Sequence, residues 1–124
     1  MTNRINYDET PEFQKDFKKL HKKFKTLEDD FELVKIAVIE LYHIQKINNL
    51  STFPIPGFNT DKIQIYKIKK FACKALKGRG SKSRIRVIYS FDIESCGVVF
   101  IEIYFKGEKE NEDKERIKRY LKDL

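Results

Sequence analysis

Ile63–Tyr89 reads IQIYKIKKFACKALKGRGSKSRIRVIY, and its pattern decides how the rest of the chain is read. Two runs in and around it, Ile63–Lys74 and Arg84–Asp92, have the composition and alternation of β-strands. Between them lies the loop Lys77-Gly78-Arg79-Gly80-Ser81-Lys82-Ser83. From Lys62 to Arg86 there are seven lysines and three arginines, and no Asp or Glu stands between Asp61 and Asp92. The whole chain has a net charge of +7, so this stretch holds more than the full excess. Like charges on neighbouring strands repel. A polyanionic partner offsets that repulsion, and phosphate is the commonest one.

The alternation assigns sides. On the first run Tyr66, Ile68 and Ala72 alternate with Lys67, Lys69 and Phe71; on the second Ile85, Val87 and Tyr89 alternate with Arg84, Arg86 and Ile88. A third run, Val98–Lys106, places Val99, Ile101, Ile103 and Phe105 on one side and Phe100, Glu102, Tyr104 and Lys106 on the other. Glu94-Ser95-Cys96-Gly97 reads as the hairpin turn before it. The three runs predict an antiparallel meander.

Upstream, Arg4–Asp8 alternates as a short strand. Thr10-Pro11 reads as a helix start, with Thr10 as N-cap. Phe13, Phe17, Leu20, Phe24 and Leu27 then form one apolar stripe, backed by a lysine-rich face from Lys15 to Lys25 that suits solvent or RNA. Thr26 with Asp29 resembles a second N-cap, opening a helix from about Glu28 to Gln45. Its stripe is Phe31, Val34, Val38, Leu41 and Tyr42, widened by Ile36 and Ile39. The two helices predict an antiparallel hairpin. Lys46–Lys62 carries Asn48-Asn49, Pro54, Pro56 and Gly57 and reads as a long loop pinned by Phe53, Ile55 and Phe58. Downstream, Asn111–Leu124 reads as a short helix with Asn111 as N-cap, Glu112 and Asp113 at the positive end of its dipole, and a stripe of Ile117, Tyr120, Leu121 and Leu124.

The expected fold class is therefore α+β. An N-terminal strand and a helical hairpin pack on a mainly antiparallel four-stranded sheet, followed by a short C-terminal helix. A length of 124 residues fits a single domain, 1–124. No apolar h-region opens the chain and no run reaches the length of a membrane span, so a cytoplasmic location is expected. Cys73 and Cys96 lack metal-ligand spacing and read as free thiols. The Gly78–Lys82 loop has neither the glycine spacing nor the ending of a Walker loop. His21 and His43 stand alone on helices, where a structural role is the ordinary one. Neither a metal nor a cofactor is expected.

What remains is a basic, tyrosine-bearing sheet face. Lys67 and Lys69 would lie beside Arg86, joined by Glu102, Tyr104 and Lys106. Such a set suits metal-independent RNA cleavage. A base removes the ribose 2′-OH proton, a cation stabilises the dianionic phosphorane, and an acid protonates the leaving 5′-oxygen. A lysine crowded by other cations has its pKa depressed and can serve as the base. The arginine fork matches two phosphate oxygens. A basic face that binds RNA without cutting it fits the same residues.

At Tyr66-Lys67-Ile68-Lys69, Arg84-Ile85-Arg86-Val87-Ile88-Tyr89 and Ile101-Glu102-Ile103-Tyr104-Phe105-Lys106, in that order after a strand and a helical hairpin, the chain resembles the RelE/ParE superfamily of toxins from type II toxin–antitoxin systems. The RelE/HigB-like branch is nearer. The resemblance implies a ribosome-dependent mRNA endonuclease. It places Lys67, Lys69, Arg86, Lys106, Lys109 and Tyr120 as catalytic candidates, with Arg86 on the phosphate. Tyr120 also fits a core role. Expected RNA contacts are Lys74, Lys77, Arg79, Lys82, Arg84 and Tyr104. Glu102 is expected as a partner of Arg86 or as a base. The last strand ends in Phe105-Lys106-Gly107-Glu108-Lys109 and lacks the arginine or histidine that several branches carry there. Implied partners are an acidic antitoxin, the ribosome and mRNA, with operator DNA reached only through the antitoxin complex and no membrane. A ParE-like inhibitor of DNA gyrase is the other activity on this fold.

Overall fold

The computed structural model describes residues 4–47, 50–69, 71 and 84–124. Its centre is a five-stranded sheet of order β1-β5-β4-β3-β2. The strands are β1 (Asn6–Glu9), β2 (Thr52–Pro54), β3 (Ile63–Ile68), β4 (Ile85–Asp92) and β5 (Gly97–Phe105). β3, β4 and β5 form the expected meander, and β1 runs parallel to β5 on its other side. The expectation of four strands is corrected by β2, an edge strand of three residues within the stretch read as loop. It pairs antiparallel with β3. Pro54 can stand there because an edge strand has a free side on which no N–H is needed. Of the first run, residue 70 and residues 72–74 lie outside the described residues, as does the stretch Lys77–Ser83 that the sequence reads as a loop.

Helix α1 (Pro11–Lys23) begins as its sequence predicts: the Thr10 side chain accepts from the Phe13 N–H at 3.1 Å, and Pro11 opens the helix. The second helix differs from the expectation. It starts as α2 (Leu27–Val34), passes into a π-helical segment (Lys35–Glu40) and ends as α3 (Leu41–His43). Thr26 stands at its N-cap, with its carbonyl accepting from the Asp30 N–H at 3.0 Å, but its side chain makes no cap hydrogen bond; the hydroxyl donates to the Asp30 carboxylate at 2.7 Å. The wider π turns shift the buried face, so that Val38 and Ile39 are both inside and His43 follows them. Leu41 and Tyr42 are displaced to half-burial, and Ile36 is 62% exposed.

The hairpin packs on one face of the sheet. There Phe13, Phe31 and Val38 meet Tyr66, Val87, Tyr89 and Phe100. Burying each such side chain contributes roughly 1.5–3 kcal/mol, which makes this the main core. The other face holds a smaller cluster of Ile55, Ile65, Ile88, Ile101 and Tyr104 under Ile117 of the C-terminal helix α4 (Lys114–Lys122). The cap of α4 is Asp113, whose side chain accepts from the Arg116 N–H, rather than Asn111.

The two faces explain the one failure of alternation. The register shifts between Ile88, opposite Glu102, and Tyr89, opposite Phe100, so Ile101 is an extra residue in β5. Before this bulge Val98 and Phe100 face the hairpin; after it Ile103 and Phe105 do. Ile101 and Tyr104 turn to the α4 side, which corrects the expected grouping of Ile101 with Ile103 and Phe105. Among the described residues no helix is long and apolar enough to cross a membrane.

Candidate RNA-facing site

Strand alternation builds the site on the α4 side of the sheet. Phe53 of β2 stands opposite Lys67 of β3, and directly opposed residues share a face. Lys69, two residues on, points the same way. The Arg86 guanidinium donates to the Lys69 carbonyl at 2.9 Å, and Arg86 is opposite Tyr104 of β5. One row thus crosses four strands: Phe53, Lys67 and Lys69, Arg86, Tyr104. The sequence pattern predicted its last four members, and β2 adds Phe53.

The segment after β5 folds back over this row. Glu112 places a carboxylate oxygen 2.6 Å from the Lys67 ammonium, with the two side chains only 9% and 17% exposed. Burial alone would raise the Glu112 carboxyl, but Lys67 and the Glu112 backbone N–H outweigh it and hold the group below its usual range. Glu102, 1% exposed, is engaged by the Lys109 ammonium and accepts from the Asp113 N–H at 2.8 Å. Its carboxylate therefore ties the start of α4 to the sheet. Lys109 also sits 5.7 Å from the centre of the Tyr104 ring.

Arg86 is half-buried, and burial lowers its guanidinium pKa; Tyr104 opposes that shift and Arg84 adds to it. It stays a cation at neutral pH. Burial raises the Tyr104 hydroxyl well above its usual value, reinforced by Glu112 and Glu102 and opposed by Arg86. Tyr104 therefore keeps its proton. Its ring is buried and offers no stacking face. Lys69 is exposed, with its ammonium 4.7 Å from the centre of the Phe53 ring. Phe53, Pro54, Pro56, Lys67, Lys69 and Glu112 border a cleft of about 170 Å³.

The remaining candidates divide. Arg84 is exposed beside the row, and its carbonyl accepts from the Lys106 N–H at 2.7 Å. Tyr120 is held elsewhere: its hydroxyl lies 2.8 Å from the Ser90 hydroxyl. Ser90 is four residues along β4 from Arg86, or about 13 Å at strand rise. The structure therefore does not bring Tyr120 to the basic row; its ring belongs to the small core. Lys74, Lys77, Arg79 and Lys82 lie outside the described residues. Two site residues escaped the sequence reading. Phe53 looked like a loop anchor, and Glu112 like a helix-dipole acid; only the fold brings both to Lys67.

A larger cleft of about 460 Å³ is lined by Tyr42, His43, Lys46, Gln64 and Tyr66, beside Phe91 and Ile93. It contains none of the expected catalytic residues. Among the described residues no group of His, Cys, Asp and Glu is arranged to hold a metal.

The arrangement of strands and helices is RelE-like. A chain in the crystal structure of an archaeal RelE–RelB complex from Pyrococcus horikoshii OT3 matches with a TM-score of 0.51 at 13% identity, covering 83% of this chain and 96% of that one. At that identity the likeness is one of fold. No protein-family model matches the chain, and no curated protein does.

Proposed function

We propose that this chain is the toxin of a toxin–antitoxin pair, nearest the RelE/HigB-like branch, and that it cleaves ribosome-bound mRNA in the cytoplasm. The observation that carries the reading is the row of Lys67, Lys69 and Arg86 on one sheet face, beside an open cleft. The fold likeness to a chain of a RelE–RelB complex supports the pairing with an antitoxin. A net charge of +7 suits an acidic, amphipathic partner segment that folds on binding and covers the row. Operator DNA would be reached through that partner.

In the proposed reaction a lysine of the Lys67/Lys69 pair, as its neutral amine, takes the proton of a ribose 2′-OH. The 2′-oxygen bonds to the adjacent phosphorus, and Arg86 stabilises the extra negative charge of the phosphorane. The bond from phosphorus to the 5′-oxygen then breaks. The leaving oxygen takes a proton from the ammonium so formed or from water, giving a 2′,3′-cyclic phosphate and a 5′-hydroxyl. No step needs a metal. A second reading, RNA binding without cleavage, draws on the pairing of Lys67 with Glu112, which occupies one of the two candidate bases.

The test is induction of the chain alone in a bacterial host, with mRNA 5′ ends mapped and Arg86→Ala beside it. The reading expects growth arrest and new cuts inside translated frames, both lost in the variant. Arrest without cuts would point to gyrase or to ribosome binding alone. No arrest would sink the toxin reading.

A further inference from the structure

We infer that the cleft between β2 and the segment around Glu112 is a nucleotide subsite, in which the Phe53 ring stacks one base of a single-stranded RNA while Lys69 holds the adjoining phosphate. The inference rests on the reading above and names how that site grips its substrate. Phe53 lies on an edge strand, where a large apolar ring is left 37% exposed. The Lys69 ammonium lies over the face of this ring, 4.7 Å from its centre, so a cation and an aromatic face already meet at the cleft, and the flexible lysine swings from the ring to the phosphate when a base stacks. That is the pairing that binds a nucleotide: the ring takes the base, which has a π-face whatever its identity, and the ammonium takes the phosphate. Pro54 and Pro56 flank the ring and stiffen the wall, since each fixes its own φ. The cleft's volume of about 170 Å³ has room for one base.

Glu112 lines the same cleft with a negative charge. Its carboxylate sits on Lys67 where an anionic group of the substrate would otherwise sit. Phosphate and Glu112 therefore compete, and the two walls of the cleft should act on RNA in opposite directions. Removing the ring weakens binding; removing the carboxylate charge frees Lys67 and strengthens it.

The experiment uses the full chain and a labelled hexanucleotide RNA carrying 2′-O-methyl groups, so that it cannot be cut, titrated by fluorescence anisotropy at low salt. One base is 2-aminopurine, whose emission falls on stacking. Phe53→Ala should weaken binding about tenfold and abolish the quench, while Phe53→Tyr restores both. Lys69→Ala should weaken binding and reduce the salt slope by about one unit. Glu112→Gln should tighten binding. Circular dichroism establishes that each variant is folded. If Phe53→Ala binds and quenches like the parent while Lys69→Ala weakens, the base platform is wrong, yet the nuclease reading stands. If an acidic peptide, and not RNA, loses affinity in Phe53→Ala, the cleft is a partner site and the inference falls. Failure of the parent to bind the RNA also overturns it, whereas the nuclease reading is decided separately by the mapped cuts.

Discussion

Substituting Glu102 by Gln separates a structural carboxylate from a catalytic one. The side chain is 1% exposed and has two partners, the Lys109 ammonium and the Asp113 N–H. Hydrogen bonds to a charged group each contribute about 1.5–3 kcal/mol. Glutamine keeps the shape and one acceptor oxygen but loses the charge, and its amide nitrogen meets either an ammonium or an N–H as a second donor. The expected cost is about 2–3 kcal/mol. For a chain of this length about 1 kcal/mol shifts Tm by about 4 °C, so the midpoint should fall by about 10 °C. Thermal unfolding followed by circular dichroism reads this directly. The companion double variant, Glu102→Leu with Lys109→Met, should recover part of the loss, because it leaves no buried charge unpaired. A Tm within about 2 °C of the parent, together with abolished mRNA cutting, would refute the argument and make Glu102 a base.

Other expectations follow from the same geometry. Tyr120→Phe removes the contact with Ser90 and should cost about 1 kcal/mol while leaving growth arrest intact; loss of arrest at unchanged stability would place its hydroxyl in the chemistry. His43 lies against Phe91, with its ring nitrogen 2.8 Å from the Tyr89 hydroxyl; burial, aided by Lys46, lowers its pKa to about 4 from 6.5. The depressed value means that its neutral form stabilises the fold above about pH 6.5, and that this contribution is lost as pH falls through about 4. Urea midpoints should therefore drop across that window, and an NMR titration midpoint of His43 near 6.5 would contradict the burial argument. Phe13, fully buried among Phe31 and Phe100, should cost about 3–5 kcal/mol when cut to Ala, measured by urea unfolding; a loss under about 1 kcal/mol would mean that the hairpin is not seated on the sheet as described.

Local rules accounted for much of this chain. Thr10-Pro11 fixed the start of α1 because a cap and a proline act within one turn. Alternation placed Lys67, Lys69 and Arg86 on a common face, because successive strand residues must point to opposite sides. Three features were beyond such rules. The extra residue at Ile101 is a matter of register between two strands, and it moved Ile103 and Phe105 to the opposite core from the one that simple alternation assigns to Ile101. The π segment turned His43 inward to meet Tyr89, a partner on a distant strand. Phe53 and Glu112 met at Lys67 only when β2 paired with β3 and the segment before α4 folded back across the sheet. The sequence by itself determined the elements, their amphipathic faces and the basic character of one sheet surface, because those depend on neighbours a few residues away. The tertiary structure alone decided which acid stands against which cation and which ring borders the cleft, because those contacts join residues that only the folded backbone brings within reach.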